Sequence, residues 1–135
     1  MLRTIRHNIQ TFHCGLVGNA GCPWLGASPD RVAWDPEEQE PHGILEIKCP
    51  CTMKDLKAPC TQGSCLVKDS NGTYRLNRTH YYFYQLLGQM AIAGVTWGDF
   101  VVYAPQFPVV EKIRFNESKW QICKKKLDSF YFLTV

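Results

Sequence analysis

Asp30 opens one short apolar run, Arg31-Val32-Ala33-Trp34, and Glu46 and Lys48 close another, Gly43-Ile44-Leu45-Glu46-Ile47-Lys48. Charged groups inside apolar strands are costly to bury unless they are paired or bound to a cation, so this placement constrains the chain more than any other feature. The second run is bounded by Pro41 and Pro50, and both runs carry β-branched or aromatic residues, which reads as two buried strands. The acidic, proline-containing stretch from Asp35 to Pro41 reads as the turn between them. Side chains alternate along a strand, which places Glu46 and Lys48 on one face and Leu45 and Ile47 on the other. Antiparallel pairing then returns Asp30 to the side of Glu46 and Lys48. Two carboxylates and a lysine at one spot suit a hard divalent cation and a water directed at a phosphodiester. A plain ion pair in a half-exposed hairpin, Asp30 or Glu46 with Lys48, is the alternative that this spacing alone leaves open.

Elsewhere the pattern gives further elements. Cys14 to Val17 reads as an opening strand, and Trp24-Leu25-Gly26 as the approach to Asp30. Met53 to Lys57 suggests a helical turn stopped by Pro59. Leu66 to Lys68 and Thr73 to Leu76, joined through Asp69-Ser70-Asn71-Gly72, predict a hairpin, because Asn-Gly accepts the positive φ of tight turns. Thr79 to Ala93 is the clearest helix, with Thr79 as N-cap and Gly94 just past its end. One stripe of this helix carries Tyr82, Leu86, Met90 and Ala93, widened by Phe83 and Leu87, and a second carries Tyr81, Gln85, Gln89 and Ile92. Strands follow over Gly98 to Tyr103 and Val109 to Phe115, separated by a turn from Ala104 to Pro108. Asn116 is placed to cap a last helix, in which Trp120, Cys123, Leu127, Phe130 and Tyr131 form core or lid over the sheet.

In sequence order, Gly26-Ala27-Ser28-Pro29-Asp30, Leu45-Glu46-Ile47-Lys48-Cys49-Pro50 and Tyr84-Gln85-Leu86-Leu87-Gly88-Gln89-Met90 resemble the successive motifs of the PD-(D/E)XK nuclease superfamily. More narrowly, they resemble the branch of phage λ exonuclease and YqaJ-like viral recombinases, from about Cys14 to the C-terminus. The resemblance implies an α/β fold with a restriction-endonuclease-like core, a central mixed β-sheet flanked by helices and lacking the N-terminal helical part. It implies one YqaJ-like domain over residues 1–135, truncated at its N-terminus relative to the family. Asp30, Glu46, Lys48 and Gln85 take the catalytic positions in this comparison. Asp30, Glu46 and the backbone carbonyl of Ile47 would hold Mg²⁺ or Mn²⁺, Lys48 would orient or activate the water, and Gln85 would support the site. Contacts to nucleic acid are expected at Ser28, Lys54, Arg75, Arg78, His80 and Gln89. The implied activity is a metal-dependent 5′–3′ DNA exonuclease of recombination type acting on double-stranded DNA with free ends. A homo-oligomer, ring-shaped in some relatives, and a single-strand annealing or recombination partner go with that activity.

The sequence departs from these relatives in two places. Leu87 stands where many carry a further glutamine, and only about a dozen residues precede the first strand. There the family has a helical region with a glutamate near the metal and residues that grip the DNA end. The alternative is therefore a catalytically weak or inactive DNA-binding remnant of a viral or mobile-element recombinase.

Composition agrees with a single domain: 135 residues, 45% of them hydrophobic, without internal repeats. A net charge of +3 is too mild to argue for nucleic acid by itself. Its distribution is more telling, since Lys48, Lys54, Lys57, Lys68, Arg75 and Arg78 face only Asp55 and Asp69. That pattern suits a phosphate-tracking surface and a solvated loop equally. The sequence has no membrane-spanning run and no secretory signal, so an intracellular protein of nucleus or cytoplasm, not secreted, is expected. Seven cysteines without a C-x-x-C pair favour free thiols in a reducing compartment. Cys49, Cys51, Cys60 and Cys65 as zinc ligands in an interaction module are the weaker alternative. None of the four histidines is assigned to metal.

Overall fold

A computed structural model of the chain describes residues 9–49, 65–103 and 109–134. The elements are β1 (Gln10–Phe12), β2 (Val17–Gly18), β3 (Gly26–Ala27), β4 (Arg31–Trp34), β5 (His42–Lys48), β6 (Leu66–Lys68), β7 (Tyr74–Leu76), α1 (Tyr81–Ala93), β8 (Trp97–Val102), β9 (Val109–Arg114) and α2 (Glu117–Thr134). The expected turns at Met53 to Lys57 and Ala104 to Pro108 lie outside the described residues, as do Lys54, Lys57, Cys51 and Cys60. Among the described residues no helix is long and apolar enough to cross a membrane.

The centre is a mixed five-stranded sheet in the order β1-β4-β5-β8-β9, flanked by α1 and α2, which is the expected α/β architecture. Among the described strands only β5 and β8 run parallel, and the connection between them contains the β6-β7 hairpin and α1. The β4-β5 pair is antiparallel with Arg31 opposite Leu45, so Asp30 arrives beside Glu46 as the alternation predicts. Directly paired residues share a face. Ile44, Glu46 and Lys48 therefore lie on the same side as Gly98, Phe100 and Val102 of β8, and these align with Ile113, Glu111 and Val109 of β9. That side meets Phe83, Leu86, Leu87 and Met90 of α1 and Trp120 of α2 in one apolar core.

On the opposite side of the sheet, the Trp97 indole lies on Gly43. A Cβ added there would come within 2.4 Å of the ring, so only glycine fits. Trp97 is fully buried, its Nε1 donates to the Glu40 carbonyl at 2.8 Å, and Lys112 Nζ sits 3.9 Å from its ring centroid. Lys112 also bonds Asp35 at 2.9 Å and Glu38 at 2.8 Å, while Arg114 pairs with Glu38 at 2.6 Å. The acidic turn after β4 is thereby fastened to β9. These two cations hold the Glu38 carboxyl down at about 2.

Several local expectations are corrected. The opening strand is not Cys14 to Val17: β2 is a two-residue piece that pairs with β3, and the sheet begins with β1, paired to β4. The open edge of β4 gives Thr11 and Phe12 a partner that no local periodicity announces. The N-cap of α1 is His80, whose Nδ1 accepts from the Tyr82 N–H at 3.1 Å. Thr79 is diverted from that role because its hydroxyl and its N–H both donate to Asn77 Oδ1. Gly94 closes the helix in the left-handed conformation, φ 72°, as expected. The second stripe of α1 is divided, with Gln89 and Ile92 buried and Tyr81 and Gln85 exposed. In α2, Trp120 is buried but Leu127, Phe130 and Tyr131 are not, so the aromatic stripe joins the core only at its start. Its far end packs on Trp24, which stacks with Tyr131 and donates from Nε1 to Asp128 at 2.9 Å.

The hairpin and the cap at Asn116 form as expected. Asp69 Oδ1 accepts from the N–H groups of Asn71 and Thr73, and Gly72 takes φ 78°. Asn116 Oδ1 accepts from the Lys119 N–H at 3.0 Å.

Candidate functional site

At the end of the β4-β5 hairpin the two acids clasp through the main chain. The Asp30 N–H donates to Glu46 Oε1 at 3.0 Å, and the Ile47 N–H donates to Asp30 Oδ2 at 2.8 Å. Each carboxylate is held by a backbone group next to the other, so strand register fixes their separation. Glu46 is 3% exposed, whereas Asp30 is open to solvent. Burial pushes the Glu46 carboxyl above the usual carboxylate range, and the Asp30 charge adds to that rise. The Asp30 N–H, a hydrogen bond from Gln89 and the Lys48 charge oppose it.

Lys48, two residues along β5 on the same face, lies 3.6 Å from Glu46 Oε2. Its Nζ donates to Gln85 Oε1 at 2.8 Å and lies 4.3 Å from the Tyr82 ring centroid. Gln85 and Gln89 stand one helical turn apart on α1. One holds the lysine and the other holds the glutamate. Gln89, expected against nucleic acid, is 6% exposed and turned to Glu46, while its own Oε1 has no hydrogen-bond partner.

The donor set fits a hard cation. Two carboxylates with an adjoining strand carbonyl are the oxygen ligands Mg²⁺ prefers, with water and phosphate completing its shell. Among the described residues no group of three or more His, Cys, Asp or Glu side chains is placed to hold a metal ion, and Cys51 and Cys60, two of the four candidate zinc ligands, lie outside those residues. Cys14, Cys22, Cys49, Cys65 and Cys123 are free thiols.

Beside the acids runs a cleft of about 450 Å³, lined by Leu25, Ser28, Gln85, Gly88, Gln89 and Trp120 among others. Ser28 is exposed there. Arg75 and Arg78 are elsewhere engaged. Arg78 Nη2 bonds the buried Glu111 at 2.7 Å, and Arg75 reaches Glu111 at 3.6 Å and Asp69 at 3.3 Å. Glu111 also accepts from the Leu76 N–H at 2.8 Å, which ties the hairpin to β9. Both arginine side chains keep about half their surface in solvent, 51% and 41%. His80 stands against the Tyr82 ring that backs Lys48. Burial and then the Lys48 charge push its imidazole below the ordinary range, which matches its duty as a hydrogen-bond acceptor.

Comparison with protein families matches residues 5–96 to the YqaJ-like viral recombinase domain. The chain belongs to that family. The matched YqaJ-like segment contains Asp30, Glu46, Lys48, Gln85 and Gln89, and ends just before β8. Among solved structures, the alkaline exonuclease LHK-Exo from Laribacter hongkongensis is similar in fold, with a TM-score of 0.67 and 23% identity. The likeness covers 96% of this chain and 59% of the exonuclease. The structure of LHK-Exo in complex with dAMP agrees to the same extent. The YqaJ-like chain thus spans less than two thirds of the length of these structures. No curated protein matches it.

Sequence reading missed two members of this arrangement. Tyr82 packs against the core as expected, but its ring also backs the lysine, which the periodicity did not show. Gln89 was placed at the nucleic acid, yet it serves Glu46. The i, i+4 spacing of the two amides was the available signal, but which amide meets which charge depends on how α1 lies across β5.

Proposed function

We propose that this chain is a metal-dependent DNA nuclease of recombination type, an exonuclease acting on double-stranded ends in the 5′–3′ direction. The observation that carries this reading is the clasp of Asp30 and Glu46 with Lys48 steered beside it by Gln85. Family membership and the exonuclease fold support it. Asp30, Glu46 and the Ile47 carbonyl would hold Mg²⁺ or Mn²⁺. Bound there, the ion supplies positive charge to the phosphate and eases ionisation of water. Lys48 then hydrogen-bonds the incoming water or the charged phosphate oxygens, and Gln85 keeps the ammonium from folding wholly onto Glu46. Gln89 holds Glu46 in one orientation. Ser28, Arg75, Arg78 and His80 supply the groups we assign to nucleic-acid contact.

Residues 1–135 act in this reading as one intracellular domain, as a homo-oligomer working with a strand-annealing or recombination partner. The test is digestion of end-labelled linear and closed circular DNA with Mg²⁺. Linear DNA should be degraded from its ends and the circle spared, with Glu46→Gln and Lys48→Ala inactive. Activity unchanged in those variants would overturn the assignment.

A further inference from the structure

Three aromatic rings crowd the start of α1, and of these only Tyr82 packs against the core. His80 and Tyr81 stack with centroids 4.4 Å apart and planes at 27°. Tyr82 meets His80 at 4.5 Å and Tyr81 at 4.6 Å. The inner ring, Tyr82, is the one that lies 4.3 Å from Lys48 Nζ, so the cluster abuts the ammonium beside Glu46. The outer ring, Tyr81, is 67% exposed, and Tyr84, one turn further along α1, is 41% exposed. Large aromatic surface left in water at the first turn of a helix is unfavourable. It is also rigid, since the N-cap bond of His80 to the Tyr82 N–H fixes the imidazole against which Tyr81 is stacked.

We propose that the His80–Tyr81 stack is a landing for an unpaired nucleobase, at which a single strand is held as it enters toward Lys48. Stacking of bases on aromatic rings is sequence-tolerant, because every base offers a π-face, and it requires a base already free of its duplex. The landing therefore favours single-stranded or frayed ends over intact duplex. This rests on the nuclease reading only for the direction in which the strand is led; base stacking itself needs neither metal nor cleavage.

The experiment measures binding without hydrolysis. Fluorescence of a short single-stranded oligodeoxynucleotide carrying aminopurine is followed in chelator, against native protein, Tyr81→Phe and Tyr81→Ala. Native protein and Tyr81→Phe should bind the strand and quench the analogue alike. Tyr81→Ala should bind about tenfold more weakly, in line with the loss of one stacked base, and the quench should vanish. Tyr81 is exposed, and circular dichroism is expected to show the variants folded. Equal binding and equal quenching by Tyr81→Ala overturns the proposal, as does failure of the native protein to bind the strand. Neither result bears on whether the acids cut DNA, and an inactive but strand-quenching protein would sink the nuclease reading alone.

Discussion

Gln85 Oε1 accepts a hydrogen bond from Lys48 Nζ at 2.8 Å across 37 residues of sequence, while Glu46 Oε2 lies 3.6 Å from the same ammonium. The lysine is shared between an amide and an acid, and the amide has the shorter contact.

Removing that amide should release Lys48 onto Glu46. Gln85→Ala is expected to lower kcat about ten- to a hundredfold, the usual cost of losing an outer partner of a reactive group. Metal affinity, measured by Mn²⁺ calorimetry, should change little, whereas Asp30→Asn should abolish it. A Gln85→Ala protein with native kcat would remove the positioning role.

Glu46 gives a pH signature in the metal-free protein. Its carboxyl is raised in the folded state, mainly by burial, so the folded chain holds this proton to higher pH than the unfolded chain. The related stability is fully present below the unfolded value and is lost as pH rises through the folded one. Glu46→Gln should flatten that decline in urea-unfolding curves, and Mg²⁺ should offset it in the native protein. An identical pH slope in native and variant chains would count against it.

Glu38 has the opposite sign. Held at about 2 by Arg114 and Lys112, it stabilises the fold above the ordinary glutamate value of 4.5 and loses that contribution as pH falls toward 2. Glu38→Gln should cost about 1 kcal/mol at neutral pH and remove part of the acid limb. Thermal melts across the acid range would show it.

Gly43→Ala tests the packing behind the sheet. The added methyl would enter the Trp97 ring, and the destabilisation should be about 1–3 kcal/mol by equilibrium denaturation. A silent substitution would mean that the indole moves freely.

Much of the site was legible because it is local. Alternation along β5 and one antiparallel turn sufficed to bring Asp30, Glu46 and Lys48 together. The helix was legible from its periodicity, yet its first residue was not. Asn77 had already taken the Thr79 hydroxyl, leaving the cap to His80. Nor was β1, whose existence depends on the vacant edge of β4 rather than on its own residues. The fates of Arg78 and Gln89 were equally hidden. Each is a polar side chain that a distant strand claims, Glu111 on β9 for one and Glu46 on β5 for the other.

The pairing of Arg31 with Leu45 has a last consequence. A slip of one residue would turn Glu46 and Lys48 to the far side of the sheet, and would carry Ile44 out of the core with them. Chemistry and cohesion therefore fail together. A molecule misaligned at this hairpin does not persist as a folded impostor with a scrambled centre, and intact packing is itself a guarantee that the acids are aimed.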